Sequence, residues 1–314
     1  ANFSRQSSGD DIDVSKLTLA GEGNTTHTLT SANVEITNGT SFSVTLSDSD
    51  KLSVNSVLDK NGTQADDSTT YNLAGAEDWL AGAASSATIA DLTGNAVTVS
   101  NVTAPQISSA TYDASSGVLL VTGTDFVQQS GASNDVDISL LTVTGEGSAS
   151  YSLTSAGDVE VSSSTAFMLT LIGDDRIHVD GLLNKNGSVS DTSSTTYNLA
   201  AADNWMTGAA ATTVVVDASN TITVSNATIP SITSMTYDAT TGVAVVTGTN
   251  LRAKDGASND VDVSLLTFTG EDATTYTLTS STDVEISSAT GFSFTLTGTD
   301  KANVDGLLNK NGTT

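Results

Sequence analysis

Three pairs of aspartates recur in the chain: Asp11 and Asp13, Asp135 and Asp137, and Asp260 and Asp262. In each pair one apolar residue separates the two, and an apolar residue and a serine follow. On an extended segment side chains alternate with period two, so the two carboxylates of each pair fall on one face. Hard cations prefer such oxygen donors, calcium above all, and these six residues are the expected metal ligands. Asp158 with Glu160 and Asp283 with Glu285 repeat the pattern, whereas the first copy has Asn33 with Glu35. The competing reading is a solvated strand edge whose charges prevent aggregation. Neither an EF-hand loop nor a glycine-rich nonapeptide accompanies the pairs.

Other chemistry is sparse. Lys60, Lys185 and Lys310 each precede Asn-Gly in a chain with only 10 basic residues. They suit the C-terminal end of a short helix, where a cation meets the negative end of the dipole; a crosslink from lysine to asparagine is the alternative. His27 and His178 do not recur between copies and read as surface substitutions. There is no cysteine, hence no disulfide or thiolate metal site. No nucleophile elbow, phosphate loop or zinc spacing is present, so no enzymatic activity is expected. Asn-x-Ser/Thr triplets such as Asn101-Val-Thr and Asn226-Ala-Thr match glycosylation acceptors, and a chain this rich in Ser and Thr produces them by chance.

The elements that hold these residues repeat with a period of about 125 residues, a length that can bury its own core. The two prolines, Pro105 and Pro230, follow Val97-Thr-Val-Ser and Ile222-Thr-Val-Ser and mark boundaries. Residues 1–104, 105–229 and 230–314 are thus three repeats, expected as beads on a string. By alignment the first lacks its opening hairpin and the third its closing strands. Either the sequence is a window on a longer array, or neighbouring copies supply those strands head to tail.

Within the middle repeat, strands are expected at 107–112, 118–122, 140–144, 150–154, 159–162, 166–171, 195–199, 213–216 and 221–224, a β-sandwich pattern. Asp50 to Gly62 breaks the alternation: Val54, Val57 and Leu58 fall at helical spacing, and Val179, Leu182, Leu183 and Val304, Leu307, Leu308 keep it. A short capping helix per repeat is expected, with a further helical turn over Ala74 to Leu80 in which Trp79 and its counterpart Trp205 would be buried. Phe42, Phe167 and Phe292, with Tyr112 and Tyr237, are the expected shared core.

Thr111-Tyr-Asp-Ala-Ser-Ser-Gly-Val-Leu-Leu-Val-Thr-Gly-Thr, the Asp-x-Asp-x-Ser motif and Thr195-Thr-Tyr-Asn-Leu resemble the tandem bacterial Ig-like domains of surface-layer proteins and large adhesins. Ile89-Ala-Asp91-Leu-Thr-Gly94-Asn95 is similar to their closing turn; the second repeat has Val216-Asp217-Ala-Ser-Asn220, without the glycine. The resemblance implies an all-β array of extracellular sandwiches, often calcium-bound and non-enzymatic.

With 36 acidic against 10 basic residues and a net charge of −26, the surface repels nucleic acid and anionic membranes, and repels its own copies unless cations intervene. No apolar run is long enough for a membrane helix, so no membrane insertion is expected. The expected function is structural: a self-assembling fibre or layer at the bacterial cell surface, its partners other copies joined head to tail and its linking ion calcium. The alternative is the spacer or ligand-binding region of an adhesin that contacts surface glycans. Ice binding through Thr221-x-Thr223 is the weakest reading, since strand propensity alone explains these threonines.

Overall fold

The computed structural model describes residues 3, 5, 9–154, 157–210, 214–254 and 256–313. The chain is mostly sheet. In the first repeat the elements are β1 (Leu17–Ala20), β2 (Thr26–Thr28), β3 (Ile36–Asn38), β4 (Ser41–Phe42), α1 (Asp48–Val57) and β5 (Asn72–Gly75). The second has β6 (Gln106–Asp113), β7 (Val118–Thr124), β8 (Leu141–Thr144), β9 (Ser150–Ser152), β10 (Ala166–Thr170), α2 (Gly173–Leu182), β11 (Asn198–Ala201) and β12 (Asp217–Ser225). The third has β13 (Ser231–Asp238), β14 (Val243–Thr249), β15 (Thr267–Thr269), β16 (Thr275–Thr277), β17 (Gly291–Thr295) and α3 (Gly298–Leu307).

The second repeat forms one continuous ladder in the order β10-β7-β6-β12-β11-β8-β9. Its one parallel pair joins the first and last strands, with Val224 opposite Tyr112; the other neighbours are antiparallel. The hairpin β6-β7 turns on Asp113, whose Oδ1 accepts from Ser115 N at 2.9 Å, and on Gly117 at φ +77°, a conformation that favours glycine. The flanking repeats hold parts of the same ladder: β2-β1-β5 in the first, β13-β14-β17 and β15-β16 in the third. Alternation sets the core, as in β7, where Leu119 and Val121 are buried and Leu120 is exposed.

Phe167 and Phe292 are buried, as is Tyr112, but Phe42 and Tyr237 are only half-buried. Among the described residues, Phe42 has no strand in the place of β7 and Tyr237 none in the place of β12. Several expected elements differ. Ala74 to Leu80 contains no helix: Asn72–Gly75 is strand, followed by a turn, and Trp79 is half-buried with Nε1 donating to the Ile89 carbonyl at 3.0 Å. Trp205 is fully buried, edge-on to Phe126. Residues 159–162 contribute only a single bridge, from Val159 to Val136. Thr213 lies outside the described residues, and Val214 to Val216 precede β12. Asn220 Nδ2 donates to Asp217 Oδ1 at 2.9 Å, as Asn95 Nδ2 does to Asp91 Oδ1 at 3.0 Å, so the same clasp forms without the glycine. The segment there runs straight into β12.

Candidate functional site: repeated carboxylates and the unit junction

The two aspartates of each Asp-x-Asp motif have separate tasks. Asp135 is fully buried: its Oδ1 accepts from Gln129 N and its Oδ2 from Val161 N, both at 2.6 Å. Asp260 accepts from Lys254 N and Ile286 N, and Asp11 from Ile36 N at 3.1 Å. Each therefore ties the loop before the motif, or the segment about 25 residues beyond it, to the core. Asp13, Asp137 and Asp262 instead cap single helical turns, taking the backbone N–H and hydroxyl of Ser15, Ser139 and Ser264. Asn33, Asp158 and Asp283 accept from Val14 N, Ile138 N and Val263 N, which explains why an amide serves in the first repeat.

A carboxylate pair does form, though between different partners from those expected. Burial raises the pKa of Asp135, and the charge of Glu160 adds to the rise; Asp260 is raised by burial and by Glu285. Glu35 is raised by its hydrogen bond with Asp11. In the first repeat Arg5 Nε lies 3.6 Å from Asp11 Oδ2 and 3.5 Å from Glu35 Oε2. In the second repeat Gln128 occupies the place of Arg5: its Nε2 donates to Glu160 Oε1 and to the Val161 carbonyl, both at 3.0 Å, as Arg5 donates to the Ile36 carbonyl. Calcium takes about 6 to 8 oxygens. Among the described residues no three of His, Cys, Asp or Glu converge where they could hold a metal ion. The carboxylate oxygens of Asp135 and Asp260 are directed at backbone N–H groups.

The sequence reading missed a third aspartate. Asp50, Asp175 and Asp300, in the first turns of the helices, are fully buried. Asp50 accepts from Thr30 N, Ser31 N, both hydroxyls of those residues, and His27 Nε2 at 2.9 Å. Asp300 takes the same positions through Thr279, Ser280, Ser281 and Tyr276. Burial alone would raise these carboxyls, but the hydrogen bonds hold both Asp50 and Asp300 well below the usual range. His27 is thus a half-buried partner of Asp50, not a surface substitution. His178 stacks on Tyr151 at 4.4 Å. The repeating signal was a Thr/Ser pair about 20 residues ahead of a helical Asp.

Lys60 and Lys185 lie beyond the helix C-caps Leu58 and Leu183 and pair across a loop with Asp66 and Asp191, at 3.4 and 3.6 Å. They do not sit in the last turn, because each helix ends earlier than its apolar pattern. Between repeats, α1 and α2 each reach into the repeat that follows. Leu52 of α1 belongs to the core of the second repeat, and Ile177 of α2 to the core of the third. Their carbonyls accept from Gln128 N and Ala253 N, at 3.2 and 3.1 Å. Val54 and Val179, two residues on, face their own repeats. Residues two apart lie on opposite sides of a helix, so the repeats are keyed together rather than strung as beads. Gly181 permits this contact: a Cβ there would lie 2.1 Å from the Ala253 carbonyl oxygen.

A scan against family models and searches of curated proteins and solved structures found no match to the chain.

Proposed function

We propose that the chain is a non-enzymatic structural array of Ig-like sandwiches on the bacterial exterior, which assembles with its own copies into a fibre or layer. The observation that carries this is the keyed junction, formed twice with equivalent residues, Leu52 and Ile177. An array that fixes each unit against the next supplies length and stiffness. The Ig-like reading rests on strand order. Lettered in chain order, β10-β7-β6 are strands E-B-A and β12-β11-β8-β9 are G-F-C-C′. Tyr197, directly before strand F, is fully buried, and its hydroxyl accepts from Lys185 N at 3.1 Å, a bond of the tyrosine-corner kind.

Cations enter the proposal as the counter-charge that a chain of net charge −26 needs before its copies can pack. Electron microscopy of the purified chain with and without calcium tests the reading. Ordered fibres or sheets support it, whereas monodisperse particles that bind glycans under all conditions support the adhesin alternative.

A further inference from the structure

The sheet of the second repeat ends at β10, which pairs with β7 on one side. In that ladder the odd-numbered residues of β10 hold the hydrogen-bonded positions. Gly123 N donates to the Thr165 carbonyl and Leu171 N to the Gly117 carbonyl, with Phe167 opposite Val121 and Leu169 opposite Leu119 between them. The backbone groups of the even-numbered residues therefore point away from β7. Ser163 closes the start of that far edge by bridging to Ala166. Beyond it, among the described residues, no strand lies along Met168 and Thr170.

Sheet edges are commonly guarded by charge, proline or a bulge. β10, Ala166-Phe-Met-Leu-Thr170, carries none of these. Phe167 and Leu169 enter the core, while Met168, Thr170 and Ile172 face solvent. Ile172 keeps an extended backbone, φ −135° and ψ 165°, so the alternation runs through it. Met168 is 60% exposed and Ile172 58%. At these two positions the other repeats have Ser43 with Ser47 and Ser293 with Thr297. The middle repeat thus replaces two hydroxyl side chains by large apolar ones at sites that its own core does not bury.

We propose that the free edge of β10 is a two-fold contact between copies of the chain. Two antiparallel edges centred on Thr170 set this residue against its counterpart in the second copy, each N–H donating to the other's carbonyl. Met168 of each copy then lies opposite Ile172 of the other. Both residues stand two positions from Thr170, so one centre satisfies both apolar pairs, and a surface that is its own complement is what a two-fold contact requires. Cross-strand apolar pairs and Thr–Thr pairs are favourable. A centre on Met168 is closed, because it would bring Thr170 onto the bridge between Ser163 and Ala166. Charge favours the same place. With a net −26, copies approach most readily where no acid faces another, and the antiparallel register carries the Asp174 of each copy to opposite ends of the paired strands. The inference rests on the array reading: the keyed junctions give length, and β10 gives the side-to-side contact.

The contact is small beside the roughly 1,200 Å² of a stable complex, so association of single chains is expected to be weak and reversible. Sedimentation velocity of the full chain, up to millimolar concentration and in about 1 M sodium chloride to screen repulsion, should show dimers. Met168→Lys should weaken them about tenfold or more without lowering the melting temperature, since an edge lysine opposes pairing. Adding Ile172→Glu to that chain should recover part of the loss by setting opposite charges across the contact. Since the chain has no cysteine, oxidation reads the register. Thr170→Cys chains, with Cα atoms about 5.5 Å apart, should join as disulfide dimers. A mixture of Met168→Cys and Ile172→Cys chains should also crosslink, whereas Met168→Cys alone, its copies about 14 Å apart, should not. A chain that stays monomeric at millimolar concentration, or crosslinking that ignores this register, overturns the contact. Fibres or sheets that form undiminished in Met168→Lys, without the Thr170→Cys crosslink, would leave the array reading standing and refute the contact. Dimers in this register with no fibre or sheet under any condition would uphold the contact and refute assembly.

Discussion

Two kinds of buried aspartate titrate in opposite directions. Asp50 and Asp300 are depressed by their hydrogen bonds, so the stability they contribute is present above the unfolded value near pH 4 and lost as the pH falls toward their folded values. Asp135 and Asp260 are raised by burial, so their contribution is full below that unfolded value and lost as the pH rises through their folded values. The melting temperature of the chain should therefore pass through a maximum on the mildly acidic side of neutrality, falling steeply in stronger acid. Asp50→Asn should cost on the order of 3 kcal/mol at pH 7, because donors to a charged acceptor lose it, and the deficit should shrink below about pH 4. Circular dichroism melts from neutral to strongly acidic pH check both. A deficit for Asp50→Asn that does not change with pH would show that the carboxylate charge is not what the Thr30 and Ser31 donors recognise.

At the scale of the element, the helix is the part whose role differs most from its sequence pattern. Its apolar spacing, Val179, Leu182 and Leu183, marks the face toward the core of its own repeat. Ile177 lies on the other side and belongs to the next core. Ile177→Ala should destabilise the third repeat by about 2 to 4 kcal/mol while leaving the second closer to wild type. Gly181→Ala should separate the same junction by pushing away the Ala253 carbonyl. Differential scanning calorimetry resolves the outcome: an early transition confined to one repeat is expected, and uniform loss across the chain would contradict the keyed junction. The strands around Leu119, Phe167 and Leu199 were legible in the sequence because alternation records burial directly. Ile177 was not, since a helix with apolar residues on two faces looks like imperfect amphipathicity until the second surface is known. The Asp-x-Asp pairs were visible as a pattern, but not the caps and core ties they form, because a carboxylate's partner is set by backbone N–H groups brought near only by the fold. Asp50 was passed over for the same reason: its donors lie about 20 residues earlier, beyond the reach of any local motif.

For the whole molecule the governing quantity is charge. A net −26 spread over keyed units opposes contact between copies, and the repulsion between exposed charges weakens as salt shortens the Debye length, from about 10 Å at 0.1 M to about 3 Å at 1 M. Two mechanisms of cation dependence can then be separated. If cations act as counter-charge, assembly followed by light scattering should begin at a threshold in sodium chloride as well as in calcium chloride, with magnesium close to calcium. If instead a coordinated ion completes a site, calcium at low millimolar concentration should act alone, and its binding should raise the melting temperature by mass action even where no assembly occurs. The paired acids Asp135 with Glu160 and Asp260 with Glu285 offer two carboxylates each, far short of the ligand shell calcium prefers, while the Asp137 and Asp262 carboxylates already cap helical turns. The counter-charge behaviour is therefore the expected one: sodium chloride near 1 M should replace calcium, and chelator should leave the melting temperature of the dispersed chain unchanged. A chelator-sensitive melt in the dispersed chain would overturn this and return calcium to a defined site in the fold.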